Sequence, residues 1–150
     1  MNFKRDKRFT QGIFKPENPD KLIGNKQPIF RSSWELRFFR WADRNANVLA
    51  WGSENIIIPY LSPLDSKVHR YFVDNFVVFA GCNGEREKFL IEIKPSKQLK
   101  QPSNDRKKTK TLLYEQKTWI INQVKWRAAR DWAVKKGYKF IILTEKELGL

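Results

Sequence analysis

The chain has 150 residues, of which 30 are Lys or Arg and 16 are Asp or Glu, so its net charge at pH 7 is +14. Such an excess of positive charge favours a polyanionic partner, with nucleic acid as the first candidate. Hydrophobic residues make up 41% of the chain and aromatic residues 14%, which excludes a disordered tail and predicts one globular domain. A single cysteine and a single histidine exclude an internal disulfide and a Cys/His site for zinc or haem, so carboxylates must hold any metal ion.

Residues 1–30 are basic and rich in Pro, Asn and Gly, without a clear hydrophobic period. They predict an N-terminal arm before a domain over residues 31–150. No apolar signal core follows the first basic residues, and no run of about 18 apolar residues occurs anywhere. We therefore expect a cytosolic protein without a membrane partner.

The first predicted helix follows this arm. Ser32 is a good N-cap, and the helix should end near Asn45 to Asn47, because Asn favours caps and turns. Apolar residues recur there at helical spacing, with arginines between them: Trp34, Phe38, Trp41 and Ala42.

Extended stretches are predicted next over residues 48–51, 55–60, 68–79 and 88–94, and Gly81-Cys82-Asn83-Gly84 has the chemistry of a hairpin turn. A second helix is predicted over residues 111–136, where Asn122 could cap a second segment and Gly137 is placed to end it. A final strand should cover residues 139–143. Apolar residues that would share one face of this helix are Leu113, Ile120, Val124, Ala128 and Trp132.

This order of elements predicts an α/β sandwich around a mixed sheet. The six tryptophans lie at spacings that favour core packing over base stacking. The one histidine, His69, has no obvious acid partner, which favours a structural or surface role.

The alternation of side chains along two predicted strands singles out an acid. Asp74 shares a face with Phe72 and Phe76, which is otherwise apolar, and a charged group in such a place needs a reason. On the next strand, Glu92 and Lys94 share one face. If the turn is centred on Asn83, Asp74 lies directly across from Glu92.

Facing cross-strand residues have Cβ atoms about 4.5–5.5 Å apart, so these two carboxylates could share one divalent cation. Lys94 would reach the same place, where an ammonium group can orient or deprotonate a water or stabilise charge on a phosphate. Such a set suits the hydrolysis of a phosphodiester. The alternative is that Asp74, Glu92 and Lys94 form a structural ion pair at the rim of the sheet. The predicted register also assumes a symmetric turn, since a bulge would shift it by one residue and turn the faces apart.

Glu35 has two interpretations. In Ser32-Ser33-Trp34-Glu35 it completes a capping box and would accept a hydrogen bond from the Ser32 amide. Alternatively, the first turn of its helix lies against the strand hairpin, and Glu35 supplies a further carboxylate to the metal site.

Basic residues after the predicted hairpin are either solvated charge or contacts to a nucleic-acid backbone. The candidates for DNA binding are Lys97, Lys100, Lys117, Lys125 and Arg127.

Together these residues resemble the PD-(D/E)XK nuclease superfamily. The matching pattern in this chain is a predicted helix that carries Glu35, followed by Asp74 and then by Glu92-Ile93-Lys94. Val73 stands where the family motif has a proline. More closely, the chain resembles the head completion nucleases of large contractile-tailed bacteriophages, which are related to TnsA-type endonucleases. The stretches that carry the resemblance are Arg31-Ser-Ser-Trp-Glu35, Trp41-Ala-Asp-Arg-Asn45, Ala50-Trp-Gly-Ser-Glu54, Ile58-Pro-Tyr60, Arg70-Tyr-Phe-Val-Asp74, Ile91-Glu-Ile-Lys-Pro95, Lys125-Trp-Arg-Ala-Ala129 and Ile142-Leu-Thr-Glu145.

The resemblance implies a restriction-endonuclease-like core of order αβββαβ and a Mg²⁺-dependent DNA nuclease, with Asp74, Glu92 and Glu35 as metal ligands and Lys94 as the fourth catalytic residue. It implies that the enzyme acts on double-stranded DNA, as an endonuclease or an exonuclease, in head completion and head–tail joining after packaging. Phage head, portal or tail-connector proteins are the expected partners. The host cytoplasm during assembly, or the virion, is the expected location, and no small-molecule cofactor is expected.

Two other functions stay open at this point. One is a basic DNA-binding plug or adaptor of the virion that has kept a nuclease fold without its chemistry. The other is a sequence-specific regulator, although no helix-turn-helix or ribbon pattern stands out.

Overall fold

The computed structural model describes residues 11–24, 27–103, 105 and 107–149. Within them lie two α-helices, eight strands and two short 3₁₀ turns. The elements in chain order are β1 (Gly12–Ile13), a 3₁₀ turn (Pro19–Lys21), β2 (Ile29–Phe30), α1 (Ser33–Arg44), β3 (Val48–Ser53), β4 (Ile57–Leu61), β5 (Val68–Phe72), β6 (Asn75–Ala80), β7 (Arg86–Ile93), a second 3₁₀ turn (Ser96–Leu99), α2 (Lys110–Lys136) and β8 (Lys139–Leu143).

The central sheet has the strand order β3-β6-β7-β8. Strand β6 is antiparallel to both β3 and β7, whereas β8 runs parallel to β7, so the sheet is mixed as predicted. Strands β4 and β5 form a separate antiparallel pair, here called the β4–β5 ribbon. Without this ribbon and the short β1–β2 pair, the core order α1, β3, β6, β7, α2, β8 is the predicted αβββαβ.

The single strand predicted over residues 68–79 is wrong, because the chain forms two strands there. The amide of Val73 donates to the carbonyl of Ile56, and the carbonyl of Asp74 accepts from the amide of Glu54. At these two residues the chain leaves the ribbon and enters the central sheet. Asp74 therefore lies at a junction between two sheets.

Helix α1 matches its prediction. The Ser32 hydroxyl accepts from the Glu35 amide at 3.1 Å, and Asn45 caps the other end. Three α1 residues, Phe38, Phe39 and Ala42, are buried against one face of the sheet with a cluster that includes Trp51.

Helix α2 covers the opposite face and continues without a break through Asn122, whose side chain is buried. It ends as predicted at Gly137, whose φ of 75° is the left-handed conformation that glycine favours. The predicted apolar face is right only in part: Ala128 and Trp132 pack against the core, whereas Leu113 is 47% exposed and Ile120 37% exposed. The residues of α2 that are buried are Leu112, Asn122, Trp126, Ala129 and Ala133.

The small side chains on this buried face allow α2 to lie close to the sheet, while Trp126 fills the space between the helix, the ribbon and the sheet. The expectation of core packing holds for Trp51 and Trp126, whereas Trp41 on α1 is 44% exposed and stacks on Phe79.

The described part of the predicted arm packs against the domain. Phe14 is buried beside Phe39 and Trp51. The buried carboxylate of Asp43 accepts hydrogen bonds from the amides of Glu17 at 2.8 Å and Asn18 at 3.0 Å. Residues 1–10 lie outside the described residues, and the domain boundary at residue 31 stays a prediction.

None of the helices in the described ranges is long and apolar enough to cross a membrane.

Candidate active site

The acidic pair lies at the end of the β6–β7 hairpin. Asn75 pairs with Ile91, so the next position along each strand brings Asp74 opposite Glu92, and the register predicted from a turn centred on Asn83 is confirmed. The Asp74 carboxylate is fixed in place by the Ile93 amide, which donates to its Oδ2 at 2.8 Å.

Glu92 is buried on the central strand β7, which pairs with β6 on one side and with β8 on the other. The Tyr71 hydroxyl, from the β4–β5 ribbon, donates to its Oε2. The Lys94 Nζ lies 3.6 Å from its Oε1. Glu92 therefore joins the ribbon to the central sheet and pairs with the predicted lysine.

Ionisation of the Asp74 and Glu92 carboxyl groups is unfavourable in the folded chain. Burial, together with the charge of Glu92, raises the pKa of Asp74 well above its ordinary value. Burial also raises the pKa of Glu92, against the opposing effect of Lys94. A bound cation would relieve both effects, since it stabilises the ionised form of each carboxyl group.

The donor set fits a hard divalent cation. Both candidate ligands are carboxylates, and Mg²⁺ prefers oxygen ligands and is commonly bound through one or two carboxylates. Among the residues in the described ranges, however, no three Asp, Glu, His or Cys side chains lie close enough together to hold one ion. The fold brings Asp74 and Glu92 together, but the Glu35 carboxylate does not lie close enough to form one metal-binding group with them.

Glu35 lies at the start of α1 and lines a cavity of about 420 Å³ together with Asp74 and Lys94. Its carboxylate accepts from the amide of Arg31, whereas the predicted capping box requires the amide of Ser32 as the donor. Its charge contributes to raising the pKa of Asp74, so the two groups interact electrostatically.

Arg31 lies beside the same acids. Its guanidinium pairs with Glu54, and this contact raises the pKa of Arg31, with further contributions from the charges of Glu35 and Asp74. Glu35 in the first turn of α1 and Arg31 just before its N-cap thus bring a carboxylate and a guanidinium group to the site.

The position of Lys125 beside the site is not predicted by the sequence. Its half-buried ammonium group lies 5.8 Å from the ring centroid of Tyr60 and 5.4 Å from that of Tyr71. Burial lowers the pKa of Lys125, while the charges of Glu92 and Asp74 act in the opposite direction. One signal in the sequence could have found it: Lys125 precedes the core residue Trp126, at the border of the buried face.

The other residues predicted to bind DNA lie on the surface. These exposed residues are Lys97, Lys100, Lys117 and Arg127.

The expectation that His69 has no acid partner is wrong. Its Nε2 lies 2.7 Å from Oδ2 of Asp65, and its ring stacks on Tyr60. Both residues of the pair belong to the end of the β4–β5 ribbon, where the contact orders the turn.

A family model for the TnsA-like endonuclease N terminal matches residues 45–145 of the chain, a range that includes Asp74, Glu92, Lys94 and Lys125 but not Glu35. The chain is also 39% identical over 142 residues to a protein of Enterobacteria phage T4 named head completion nuclease. That alignment covers 91% of this chain and 92% of the phage T4 protein.

Proposed function

Since the chain belongs to the TnsA-like endonuclease N-terminal family and is a nuclease, we propose that it hydrolyses double-stranded DNA with the help of Mg²⁺. The observation that carries this proposal is the apposition of Asp74 and Glu92 beside Lys94. Two carboxyl groups with raised pKa values, next to an ammonium group, suit a site in which a cation and a phosphate complete the balance of charge.

In this proposal, Asp74 and Glu92 hold the metal ion and Glu35 completes the carboxylate set from the neighbouring helix. When bound, Mg²⁺ lowers the pKa of a water molecule and neutralises charge on the phosphate. The Ile93 amide and the Tyr71 hydroxyl hold the two principal carboxylates in position.

Lys94 is proposed to orient the attacking water and to stabilise the charge that develops on the phosphate during in-line displacement. Its side chain is 29% exposed, so it lies between the buried Glu92 and the solvent from which DNA approaches. The excess of basic residues supports a polyanionic substrate.

We further propose that the protein acts in the completion of phage heads and in head–tail joining. This proposal is supported by the name of the phage T4 relative, to which this chain is similar over nearly its whole length. Portal or tail-connector proteins are the proposed partners, and the host cytoplasm during assembly, or the virion itself, is the proposed location.

Cleavage of linear and circular duplex DNA by the purified protein, with Mg²⁺ or with EDTA, tests the enzymatic part. We expect metal-dependent cleavage by the native chain and none by Asp74→Ala. The control is Asp131→Ala, which removes an exposed carboxylate on α2 and should leave the rate unchanged. Cutting of the circle identifies an endonuclease, and cutting of the linear form alone identifies an exonuclease.

If the native chain binds both substrates and cuts neither, the proposal of Mg²⁺-dependent hydrolysis fails and the non-catalytic plug replaces it. For the biological part, Asp74→Ala expressed during infection should not restore infectious particles to a phage that lacks its head completion nuclease. Restoration by this variant would separate head completion from cleavage.

A further inference from the structure

Lys125 lies in an environment unlike that of the other basic residues predicted to contact DNA. Its ammonium group lies against the rings of Tyr60 and Tyr71, from the two strands of the ribbon, whereas Lys117 and Arg127 on the same helix are exposed. Helix α2 thus directs the ammonium group of Lys125 inward, toward the ribbon and the acid pair.

The two tyrosine rings connect Lys125 to this pair. The Tyr71 ring that faces Lys125 carries the hydroxyl that donates to Glu92. The negative charges of Glu92 and Asp74 act to raise the pKa of Lys125, and the positive charge of Lys94 acts to lower it. Two ammonium groups therefore flank the acids, Lys94 from the end of β7 and Lys125 from α2.

A half-buried ammonium group is costly unless something binds it. The Lys125 ammonium lies over ring faces, which hold a cation without consuming its hydrogen bonds as a carboxylate would. The N–H donors of Lys125 are consequently available for an anion. At a site for DNA hydrolysis, that anion is a backbone phosphate.

We propose that Lys125 is a second phosphate-binding residue of the active site, contacting the phosphodiester whose charge increases during cleavage. This rests on the proposed function. In this proposal, Lys125 contacts the phosphate that is cleaved, whereas the exposed lysines contact other phosphates of the DNA backbone. Because such a contact strengthens in the transition state, its removal should lower the cleavage rate more than the affinity.

The test compares Lys125→Met and Lys125→Arg with Lys135→Met, which removes an exposed lysine of the same helix. Single-turnover cleavage is measured at saturating duplex DNA with Mg²⁺, and DNA affinity is measured in EDTA. We expect Lys125→Met to lower the rate about 10²–10³-fold, the effect of removing one transition-state donor. Affinity should change far less, Lys125→Arg should recover part of the rate, and Lys135→Met should cleave normally.

A native rate in Lys125→Met would overturn the proposal, as would a loss of affinity with an unchanged rate at saturation. If Lys125→Met does not fold, Lys125→Gln keeps a polar side chain without the charge, and a native rate in that variant has the same meaning. Failure of the native chain to cleave would instead contradict the proposed function and is seen separately.

Discussion

At the level of single residues, the proposed site centres on two carboxyl groups that lie side by side, Glu92 buried and Asp74 partly buried. Burial and mutual repulsion raise the pKa of Asp74, and burial raises that of Glu92. The folded state without metal therefore holds protons that the unfolded chain releases at the same pH. The charges that the proposed function requires therefore destabilise the fold.

The sign of the pH dependence follows from this difference. Between the ordinary carboxyl pKa and the raised pKa in the folded state, the folded protein binds more protons than the unfolded one, so stability falls as pH rises through that window. Asp74→Asn removes one such charge and keeps an oxygen that can accept from the Ile93 amide. We expect this variant to melt at a higher temperature than the native chain in EDTA at neutral pH, and to lose cleavage.

A carboxylate with the opposite shift is the control for this measurement. Contacts with the Lys67 amide and with His69 lower the pKa of Asp65, so Asp65→Asn should not stabilise the protein. Thermal unfolding in EDTA from pH 5 to pH 9 compares the three proteins. A lower melting temperature for Asp74→Asn than for the native chain would show that the Asp74 charge does not destabilise the fold.

Much of the residue-level site could be predicted because it depends on local rules. The Asn83-Gly84 turn sets the register of the hairpin, and alternation along two strands then brings Asp74 opposite Glu92. The position of Lys125 depends instead on how α2 rotates against the ribbon. The adjacent core residue Trp126 places Lys125 at the border of the buried face, but only the folded chain shows that this border lies beside Tyr60 and Tyr71.

At the level of elements, the β4–β5 ribbon supports the site from outside the central sheet. Its Tyr71 is buried and donates to Glu92, while the next residues, Val73 and Asp74, connect the ribbon to β6. The sequence shows a run rich in β-branched and aromatic residues here, with Asp74 and Asn75 inside it. The break was not predictable, because it is produced by pairing with Glu54 and Ile56, which are distant in the chain.

Removal of the ribbon's hydrogen bond gives a direct measure of this support. We expect Tyr71→Phe to lower the free energy of unfolding by about 1.5–3 kcal/mol, the range for a hydrogen bond to a charged group. Urea unfolding measures it, with Tyr114→Phe as the control because Tyr114 is 71% exposed. Equal stability of the two variants would show that the ribbon hydrogen bond contributes nothing.

The corrected face of α2 gives a second prediction for the elements. Ala129 is fully buried between the helix and the sheet, so Ala129→Leu should overpack the core and cost about 1–3 kcal/mol. Leu113, which belongs to the face predicted from the sequence, is largely exposed, and Leu113→Ala should change stability by less than about 0.5 kcal/mol. A larger cost for the Leu113 variant would restore the original assignment.

At the level of the whole molecule, the net charge of +14 predicts strong electrostatic attraction to DNA that is independent of sequence. Composition alone indicated this partner. In our proposal, a few cations near the acid pair contact the phosphate that is cleaved, and many on the surface contact the rest of the DNA. This division could not be predicted from composition, because it depends on how the fold brings distant residues together.

Salt dependence tests this division. Lys97→Ala combined with Lys100→Ala should weaken binding to any duplex, and should reduce the slope of log affinity against log salt by about one for each phosphate that the protein no longer neutralises. The cleavage rate at saturating DNA should stay close to native. Titrations between 50 and 300 mM salt measure the slope, and an unchanged slope would exclude both lysines from the DNA interface.

The central claim is that Asp74 and Glu92 together hold the metal ion of a nuclease. It is tested most directly by anomalous diffraction from crystals of the native protein grown with Mn²⁺, a cation that uses the same oxygen ligands as Mg²⁺. We expect a peak about 2.0–2.3 Å from a carboxylate oxygen of each residue, a distance typical of small divalent cations. A protein that cleaves DNA with Mn²⁺ but shows its peak away from these two residues would contradict the claim.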